Sequence, residues 1–302
     1  MATNIHKKCR TVIAVILTWA AYALLTPSTA TGTDRINNKP SVISVDYCAD
    51  QFVLALVEPT HILALSKEAQ SPFSFYAERA AGIPFTHGST EDILMRRPDI
   101  SVRQWVGTPA TDTLLNRAGV KSIPIGFAST PEDNFGNLLD FASKIGQQTA
   151  AQAFINKRRA LIKQLEGKTK SKAKALYVTP GGFSAGTGTF VNDIINLAGF
   201  QTMADTYGQV GWAPLPLEAM IKTPPDVIIA SFFDLTTLRS RWSASNHPLI
   251  HKLFDTIPVI EVPSRYLSCS GLFAADAAAY IRDDARKIGL LETSIEARND
   301  EH

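Results

Sequence analysis

The sequence has little cysteine, little histidine and almost no excess charge of one sign. Its 302 residues include three cysteines and six histidines, and the formal net charge at pH 7 is +2. A nearly neutral chain without a Lys/Arg run beyond its N-terminus lacks the electrostatic footprint of a nucleic-acid-binding protein. We therefore expect no nucleic acid among its partners.

Its few histidines form no recognisable metal motif. His247 and His251 share a helix face at i,i+4 spacing, but the acid of a His-Glu-x-x-His zinc motif does not accompany them. Receptors or enzymes for bare transition metals need converging histidines and carboxylates. We interpret these two histidines as surface residues and expect no metal site.

Long apolar runs are also scarce, and one at the N-terminus stands out. Residues 11–25 are apolar and follow a basic stretch, residues 7–10. The run is too short to span a bilayer comfortably, and the small residues Ser28 and Ala30 follow at a cleavage-site spacing. We expect a signal peptide, residues 1–30, cleaved near Ala30 to release an exported chain; a membrane anchor is the alternative.

Loss of that segment removes Cys9 and leaves Cys48 and Cys269, which lie in opposite halves of the chain. Two cysteines in an oxidising compartment can form a disulfide. We expect packing residues or free thiols instead, because a disulfide would tie the two halves across a cleft and hinder ligand exchange. Pairing and contact with a ligand stay open as alternatives.

One spacing occurs twice: a Glu, six residues, then Pro-Asp and an apolar run. The copies begin at Glu91, with Pro98-Asp99, and at Glu218, with Pro225-Asp226. Proline cannot continue a helix and pushes the preceding residue out of α space. Each copy therefore predicts a short helix followed at once by a buried strand. The same unit in both halves predicts two similar lobes facing each other across a cleft.

Apolar runs bounded by turn residues alternate with helical segments along both halves. This alternation is typical of parallel sheets covered by helices on both faces, so the predicted fold class is α/β with two parallel-sheet lobes. The predicted strands are residues 41–45, 61–65, 100–102, 121–125, 173–178, 227–230 and 259–262. The predicted helices of the lobes are residues 49–57, 91–96, 111–118, 191–197, 217–222 and 272–290.

The middle of the chain is predicted to be helical. Residues 130–133 (Thr-Pro-Glu-Asp) form a strong helix start, and no strand interrupts residues 132–167. A second helix, residues 150–166 behind a capping box at Thr149 and Gln152, spans about 25 Å and is expected to join the lobes stiffly. Because such a helix resists bending, we expect the lobes to close only modestly when a ligand binds. The predicted boundaries are 1–30 for the signal peptide, 31–131 for the N-terminal lobe, 132–167 for the helical segment and 168–302 for the C-terminal lobe.

Several segments match a known family in order and spacing: the opening strand and helix (residues 42–57), both Glu…Pro-Asp units, the turn at residues 118–120, the interlobe helix, residues 190–195, Ala198-Gly199 and Trp212. Through them the chain resembles the helical-backbone periplasmic substrate-binding proteins of ABC importers. The resemblance covers almost the whole mature chain. It implies a monomeric periplasmic receptor, without enzyme activity or cofactor, whose ligand is a metal-organic chelate. An Fe(III)-siderophore is the first expectation, cobalamin the next and haem after it.

In the family that the chain resembles, a glutamate on each lobe docks onto arginines of a dimeric inner-membrane permease. Glu91 and Glu218 occupy the matching positions. Two carboxylates on equivalent lobe surfaces can report both lobes' positions through charge-assisted contacts. The alternative is that each is an ordinary acid in the first turn of a helix, where it interacts with the helix dipole.

Residues that follow the carboxyl ends of the strands are the candidates for ligand contact, because α/β sheets bind ligands there. They are rich in aromatics and arginine, which suit a large, flat or anionic ligand. For the aromatics the alternative is core packing, and for the arginines it is pairing with nearby acids. The expected ligand-binding residues are Tyr47, Arg103, Trp105, Trp212, Phe232, Arg265 and Tyr266.

A remote alternative is a secreted serine hydrolase that uses Ser184. The other members of its catalytic triad would be Asp226 or Asp234 and then His247 or His251, which follow in the required order. Residues 182–186 match Gly-x-Ser-x-Gly, the nucleophile elbow, which needs a strand directly before the serine and a helix directly after it. Residues 179–181 intervene after the predicted strand, and Gly186-Thr187-Gly188 prevents an immediate helix. We therefore expect no catalysis and interpret the glycine-rich loop as a rim of the cleft.

Overall fold

Two separate parallel sheets form the framework of the molecule. The computed structural model describes residues 39–168, 170–179, 181–231 and 255–291. The strands of the first sheet lie in the order residues 85–86, 62–66, 42–44, 100–103 and 121–124. The strands of the second lie in the order residues 259–261, 227–230, 174–178 and 201–202. Within the described residues no strand belongs to both sheets. The prediction of an α/β fold with two parallel-sheet lobes is confirmed.

The first lobe contains five strands and three helices: β1 (Val42–Ser44), α1 (Tyr47–Leu56), β2 (Ile62–Ser66), β3 (Phe85–Thr86), α2 (Thr90–Arg96), β4 (Ile100–Arg103), α3 (Pro109–Arg117) and β5 (Lys121–Pro124). Two helices follow, α4 (Pro131–Ile145) and α5 (Gln148–Glu166). The second lobe contains β6 (Lys174–Val178), β7 (Phe183–Ala185), α6 (Phe190–Ala198), β8 (Gln201–Thr202), α7 (Ala204–Tyr207), β9 (Trp212–Pro214), α8 (Leu217–Lys222), β10 (Val227–Ala230), β11 (Val259–Glu261), α9 (Ser264–Leu267) and α10 (Ala274–Lys287).

The aspartate of each Pro-Asp pair links two neighbouring strands at their amino ends through a hydrogen bond. Asp99 Oδ2 accepts a hydrogen bond from the backbone N–H of Ser41 at 2.8 Å. Asp226 Oδ2 accepts the equivalent bond from the backbone N–H of Lys174 at 2.7 Å. Strand β4 then pairs with β1, and β10 pairs with β6. The repeat therefore marks the same joint in each lobe.

Both faces of the first sheet are buried, which explains why its strands read as continuous apolar runs. Successive side chains of a strand point to opposite faces. Val42 accordingly packs into a cluster with Phe52 and Phe141, whereas Ile43 packs on the other face with Ile93.

A carboxylate on α1 is completely buried inside the first lobe. Asp50, on α1, is fully buried and accepts hydrogen bonds from the backbone N–H of Ser66 at 3.1 Å and from its Oγ at 2.6 Å. Burial raises the pKa of Asp50 to about 7, although the bonds from Ser66 oppose the shift. The folded protein therefore binds a proton here over a pH range in which the unfolded chain does not.

Helices α4 and α5 connect the lobes. The predicted start of α4 is confirmed: Thr130 and Asp133 form a reciprocal capping box, each side chain accepting from the other's backbone N–H. The predicted box at the start of α5 is wrong. That helix begins two residues earlier, at Gln148, because α4 ends in a left-handed turn at Gly146, and the flanking Gln147 makes no side-chain cap bond.

Helix α5 packs against both lobes, as predicted. Ala151 and Ile155 lie in the core of the first lobe. Leu165, with Leu161 beside it, belongs to the core of the second. A helix held at both ends by apolar contacts resists bending. The degree of closure and the exact domain boundaries stay predictions.

No helix among the described residues has the length and apolar character needed to cross a membrane. The predicted signal peptide, residues 1–30, lies outside the described residues.

Candidate functional site

Asp46, at the carboxyl end of β1, holds two backbone segments in place through hydrogen bonds. Its Oδ1 accepts a hydrogen bond from the backbone N–H of Ala49 at 2.9 Å and so caps α1. Its Oδ2 accepts from the backbone N–H groups of Gln104 at 2.6 Å and Trp105 at 2.9 Å. One buried carboxylate therefore fixes both the helix and the segment that carries Trp105.

An exposed aromatic pair follows β4 and β5. Trp105 and Phe127 meet edge to face with ring centroids 4.6 Å apart, and they are 55% and 63% exposed. We call this pair the N-terminal rim. Sequence reasoning missed Phe127, although it lies only two residues after the predicted strand of residues 121–125. Large apolar side chains left exposed in this way are typical of a binding surface.

The glycine-rich segment forms a two-stranded antiparallel ribbon that the sequence did not predict. Strand β7 pairs with β9, so that Ala185 lies opposite Trp212. Phe183 and Trp212 are about half exposed, and Tyr177 lies 6.0 Å from Trp212 between ring centroids. We call Phe183 and Trp212 the C-terminal rim. The interpretation of this loop as a rim of the cleft stays a prediction.

Ser184 lies within that ribbon and is 1% exposed. It occupies a strand position opposite Ala213, not a sharp turn between strand and helix. Asp226, a predicted acid of a hydrolase triad, lies at the amino end of β10, whereas Ser184 follows the carboxyl end of β6. The other triad candidates, Asp234, His247 and His251, lie outside the described residues. The geometry gives Ser184 no exposed elbow.

Arg103 is engaged by an acid of its own lobe. Its Nε donates to Asp112 Oδ1 at 2.8 Å, and its Nη2 contacts Oδ2 of the same carboxylate. Ser122 Oγ donates to Asp112 as well, at 2.6 Å. The mutual hydrogen bonds raise the pKa of Arg103 and lower that of Asp112. Ligand contact by Arg103 stays a prediction and requires the guanidinium to keep or exchange this partner.

A cavity of about 410 Å³ lies between the loop that follows β2 and helix α9. It brings Arg265 and Tyr266, both predicted, together with Tyr76 and Arg79, which were not. Arg79 Cζ lies 6.0 Å from the ring centroid of Tyr76, and Arg265 Cζ lies 5.2 Å from that of Tyr266. The cavity is lined by Pro72, residues 74–79, Arg265 and Tyr266. We call it the Tyr/Arg cavity.

Gln51 holds the loop of the Tyr/Arg cavity in place. This buried amide accepts a hydrogen bond from the backbone N–H of Tyr76 at 3.2 Å. Its Nε2 donates to Ser74 Oγ at 2.9 Å and to the carbonyl of Tyr47 at 3.0 Å. Tyr47 itself is half-buried, with its ring 5.4 Å from that of Phe73.

Tyr76 has an unusual electrostatic setting. Burial raises its pKa, while the positive charges of Arg158 and Arg79 act in the opposite direction. The side chain is therefore a neutral phenol near pH 7 that lies beside cations able to stabilise its deprotonated form. Sequence reasoning missed Tyr76 because it considered only residues next to strand ends; the available signal was a Phe-Ser-Phe-Tyr run in a long loop.

Cys48 and Cys269 form a disulfide with their Cα atoms 5.1 Å apart, so the expectation of free thiols is wrong. The segment that carries Cys269 leaves the second lobe and packs on the first. Ser268 Oγ donates to the carbonyl of Phe73 at 3.1 Å, and Phe273 lies in the core of the first lobe. Both cysteines are buried. The bridge therefore lies inside the contact between the lobes and not across an open cleft.

An ion pair joins α5 to α10 near this contact between the lobes. Arg158 Nε lies 3.1 Å from Asp276 Oδ2, on α10, and both side chains are largely buried. The Arg158 guanidinium also lies over the rings of Phe75 and Phe154, at 5.8 and 4.9 Å. Burial raises the pKa of Asp276, and Arg158 opposes the shift. We call this ion pair, together with the Cys48–Cys269 disulfide, the interlobe floor.

The family model for the periplasmic binding proteins matches residues 42–237, more than half of the chain. The chain belongs to the periplasmic binding protein family. Among the residues that the structure describes, no group of three or more His, Cys, Asp or Glu is placed to hold a metal ion.

Solved structures with the same fold include two periplasmic heme-binding proteins. The periplasmic heme-binding protein RhuT from Roseiflexus sp. RS-1 in apo form is 20% identical, with a TM-score of 0.63 over 82% of this chain and 99% of that one. The periplasmic heme-binding protein HutB of Vibrio cholerae is 19% identical, with a TM-score of 0.64 over 80% and 97%. At these identities the similarity shows the fold alone.

A curated relative has a partial match. The uncharacterized ABC transporter substrate-binding lipoprotein YvrC of Bacillus subtilis (strain 168) is 20% identical over 184 residues. The match covers 56% of this periplasmic binding protein and 58% of the relative.

The predicted ligand-binding residues of this periplasmic binding protein do not form one cluster. Arg265 and Tyr266 lie together in the Tyr/Arg cavity, whereas Trp105 and Trp212 lie on the two rims. Phe232 lies outside the described residues. Ligand contact stays a prediction for all of them.

The predicted docking residues of this periplasmic binding protein are Glu91 and Glu218. Both are exposed and lie in the first turns of α2 and α8. Within the described part of the chain, no cation lies within salt-bridge distance of either carboxylate. Docking stays a prediction.

Proposed function

We propose that this protein is an exported receptor that captures an anionic iron chelate between its lobes and delivers it to an ABC permease. The observation that carries the proposal is the Tyr/Arg cavity, where Tyr76 and Tyr266 lie beside Arg79 and Arg265. Tyrosine is among the residues that ligate haem iron. Arginine pairs with carboxylates in bidentate geometry. Together they suit a chelate that combines iron with negative charge.

Haem is the first candidate ligand. The rims add exposed aromatic faces, Trp105 and Phe127 on one lobe and Trp212 on the other, and such faces stack on a flat conjugated ring. RhuT and HutB, which share the fold, are described as haem-binding. A ferric catecholate siderophore is the second candidate, because it too combines iron, negative charge and aromatic rings. Cobalamin, without free carboxylates for the arginines, comes third.

A thermal-shift and absorbance titration tests the ligand class. Hemin, a ferric catecholate siderophore and cyanocobalamin are each added to the purified protein. A true ligand at a hundredfold excess over its Kd stabilises the folded state by about 2.7 kcal/mol, which raises Tm by roughly 5 °C for a chain of this size. If none of the three raises Tm, the ligand assignment is wrong.

Variants then locate the binding. We expect Tyr76→Phe to change the absorbance spectrum of bound hemin, and Arg79→Ala with Arg265→Ala to weaken binding of either anionic chelate. Tyr207→Phe is the matched control, because the Tyr207 hydroxyl donates to the carbonyl of Thr223, directly after α8, and neither residue lines the cavity. An equal effect of the control and the cavity variants would contradict the assignment to this cavity.

The rival function is ester hydrolysis through Ser184, and the same preparation tests it. We expect the wild type and Ser184→Ala to be equally inactive on generic nitrophenyl esters, because Ser184 is buried within a ribbon. A hydrolytic activity that the wild type shows and Ser184→Ala loses would replace the receptor proposal.

A further inference from the structure

The Tyr/Arg cavity contains one charged side chain that the proposed function does not use. Glu78 lines the cavity together with Arg79 and Arg265. Two guanidinium groups and one carboxylate give this lining a net formal charge of +1. Arg158 and Asp276, in the interlobe floor, form an ion pair and do not line the cavity. The Glu78 carboxylate therefore works against any ligand that carries only negative charge.

The backbone that carries Glu78 is fixed by hydrogen bonds on both sides. The carbonyl of Glu78 accepts from the backbone N–H of Ala81 at 3.2 Å. The carbonyl of Tyr76 accepts from the backbone N–H of Ala80 at 3.0 Å. The backbone N–H of Tyr76 in turn donates to the buried Gln51 at 3.2 Å. The fold therefore places Glu78 at the wall of the cavity.

The Glu78 carboxylate is not neutralised by the arginines beside it. Among the described residues it forms no ion pair with Arg79 or Arg265. Arg79 lies over the ring of Tyr76, with its Cζ 6.0 Å from the ring centroid. Arg265 lies over the ring of Tyr266, at 5.2 Å. Such cation–π contacts orient the guanidinium groups. All three charged side chains are exposed, so they are available to a ligand.

A chelate that fills the cavity displaces water from the Glu78 carboxylate. A carboxylate that loses water without gaining a hydrogen-bond donor or a positive charge carries a free-energy penalty. An anionic group of the ligand placed beside it adds like-charge repulsion. Both penalties disappear when the ligand turns an ammonium, amide or hydroxyl group toward Glu78.

We propose that Glu78 selects ligands by the distribution of their charge. It favours a chelate that places a hydrogen-bond donor or a positive group opposite this carboxylate and its anionic groups opposite Arg79 and Arg265. The inference rests on the proposed function and narrows its ligand class, from any anionic iron chelate to one that is anionic on one side only. Glu78 thus lowers the affinity for competing chelates that are anionic on every side.

Binding titrations of the wild type and Glu78→Gln with chelates of different charge test this inference. The probes are hemin, a ferric catecholate siderophore and a hemin derivative in which one propionate is replaced by an amide that carries an ammonium group. Glu78→Gln is expected to bind hemin about threefold more tightly than the wild type does. The gain should be larger for the ferric catecholate, which carries more negative charge. The ammonium derivative should bind about threefold less tightly.

Glu68→Gln is the matched control, because it removes a carboxylate from the segment that follows β2 without changing the lining of the cavity. It is expected to bind all three probes as the wild type does. Glu78 is exposed, and an unchanged Tm confirms that Glu78→Gln folds. Changes of opposite sign for hemin and its ammonium derivative cannot arise from a loss of folding.

Two outcomes separate the inference from the proposed function. The inference is wrong, and the proposed function stands, if the wild type binds hemin or the ferric catecholate and Glu78→Gln does not tighten that binding. A gain that is equally large for the ammonium derivative has the same meaning. If the wild type binds none of the chelates, the proposed function fails and the inference fails with it.

Discussion

The disulfide between Cys48 and Cys269 provides the most quantitative test of how the lobes are held together. The two cysteines are separated by 221 residues, and the chain-entropy relation gives about 5 kcal/mol of stabilisation for a loop of that length. This value is an upper estimate, because residual structure in the unfolded chain reduces the entropy that the bridge removes.

The perturbation is the double variant Cys48→Ala/Cys269→Ala, with urea unfolding as the assay. We expect its unfolding midpoint to fall and its m-value to rise, because the unfolded chain without the bridge exposes more surface. The wild type with a reductant should match the double variant, and the double variant should be insensitive to the reductant. Each single cysteine variant serves as a control for loss of the side chain itself.

An unfolding midpoint in urea that is the same for the oxidised wild type, the reduced wild type and the double variant would refute the reasoning. A second readout addresses function. Because α5 already fixes the separation of the lobes through contacts with both cores, we expect the dissociation rate of a bound chelate to change no more than about threefold in the double variant.

Three other predictions follow from buried charges. The pKa of Asp50 is raised to about 7 in the folded state, so its contribution to the free energy of unfolding is fully present below the unfolded pKa and is lost as pH rises through 7. Urea unfolding of the wild type should therefore show a loss of roughly 2 to 3 kcal/mol between pH 5 and 8 that Asp50→Asn does not show. The same pH profile for both proteins would contradict this. Arg158→Met leaves Asp276 buried and unpaired and should lower the free energy of unfolding by about 3 kcal/mol. Arg158→Met/Asp276→Leu should recover much of that loss, and a double variant no more stable than the single one would contradict the pairing. Asp46→Ala should lower the free energy of unfolding by about 1 to 3 kcal/mol and speed hydrogen exchange at the backbone amide of Trp105, which loses its acceptor. Unchanged exchange at this amide would show that Asp46 does not hold the segment in place.

The repeated unit shows which features the sequence could predict. Helix α8 (Leu217–Lys222) and strand β10 (Val227–Ala230) have the bounds that were predicted, because a proline stop and an apolar run are local signals. The hydrogen bond through which the unit joins two strands, from the backbone N–H of Lys174 to Asp226, links residues 52 positions apart. Sequence spacing shows that the motif repeats, but it does not show what the aspartate binds.

The features that the sequence missed are contacts between distant segments. The ribbon of β7 and β9 joins glycine-rich stretches without the alternating pattern of a strand. The Tyr/Arg cavity joins Tyr76 to Tyr266 through the fold, and the disulfide depends on the segment around Phe273 crossing to the first lobe. Pairing of Arg103 with a nearby acid was an alternative, but the sequence did not identify Asp112 as the partner, because a spacing of nine residues has no helical or strand meaning.

The position of the iron tests the central claim most directly. Anomalous diffraction at the iron edge from a crystal grown with the chelate that raises Tm most would locate the metal. We predict a single peak between the loop of residues 72–79 and Arg265 with Tyr266, within reach of a phenol oxygen or of a ligand held by the two arginines. A peak on the outer surface of either lobe, such as the groove beside Leu165 and Asn196, would contradict the account.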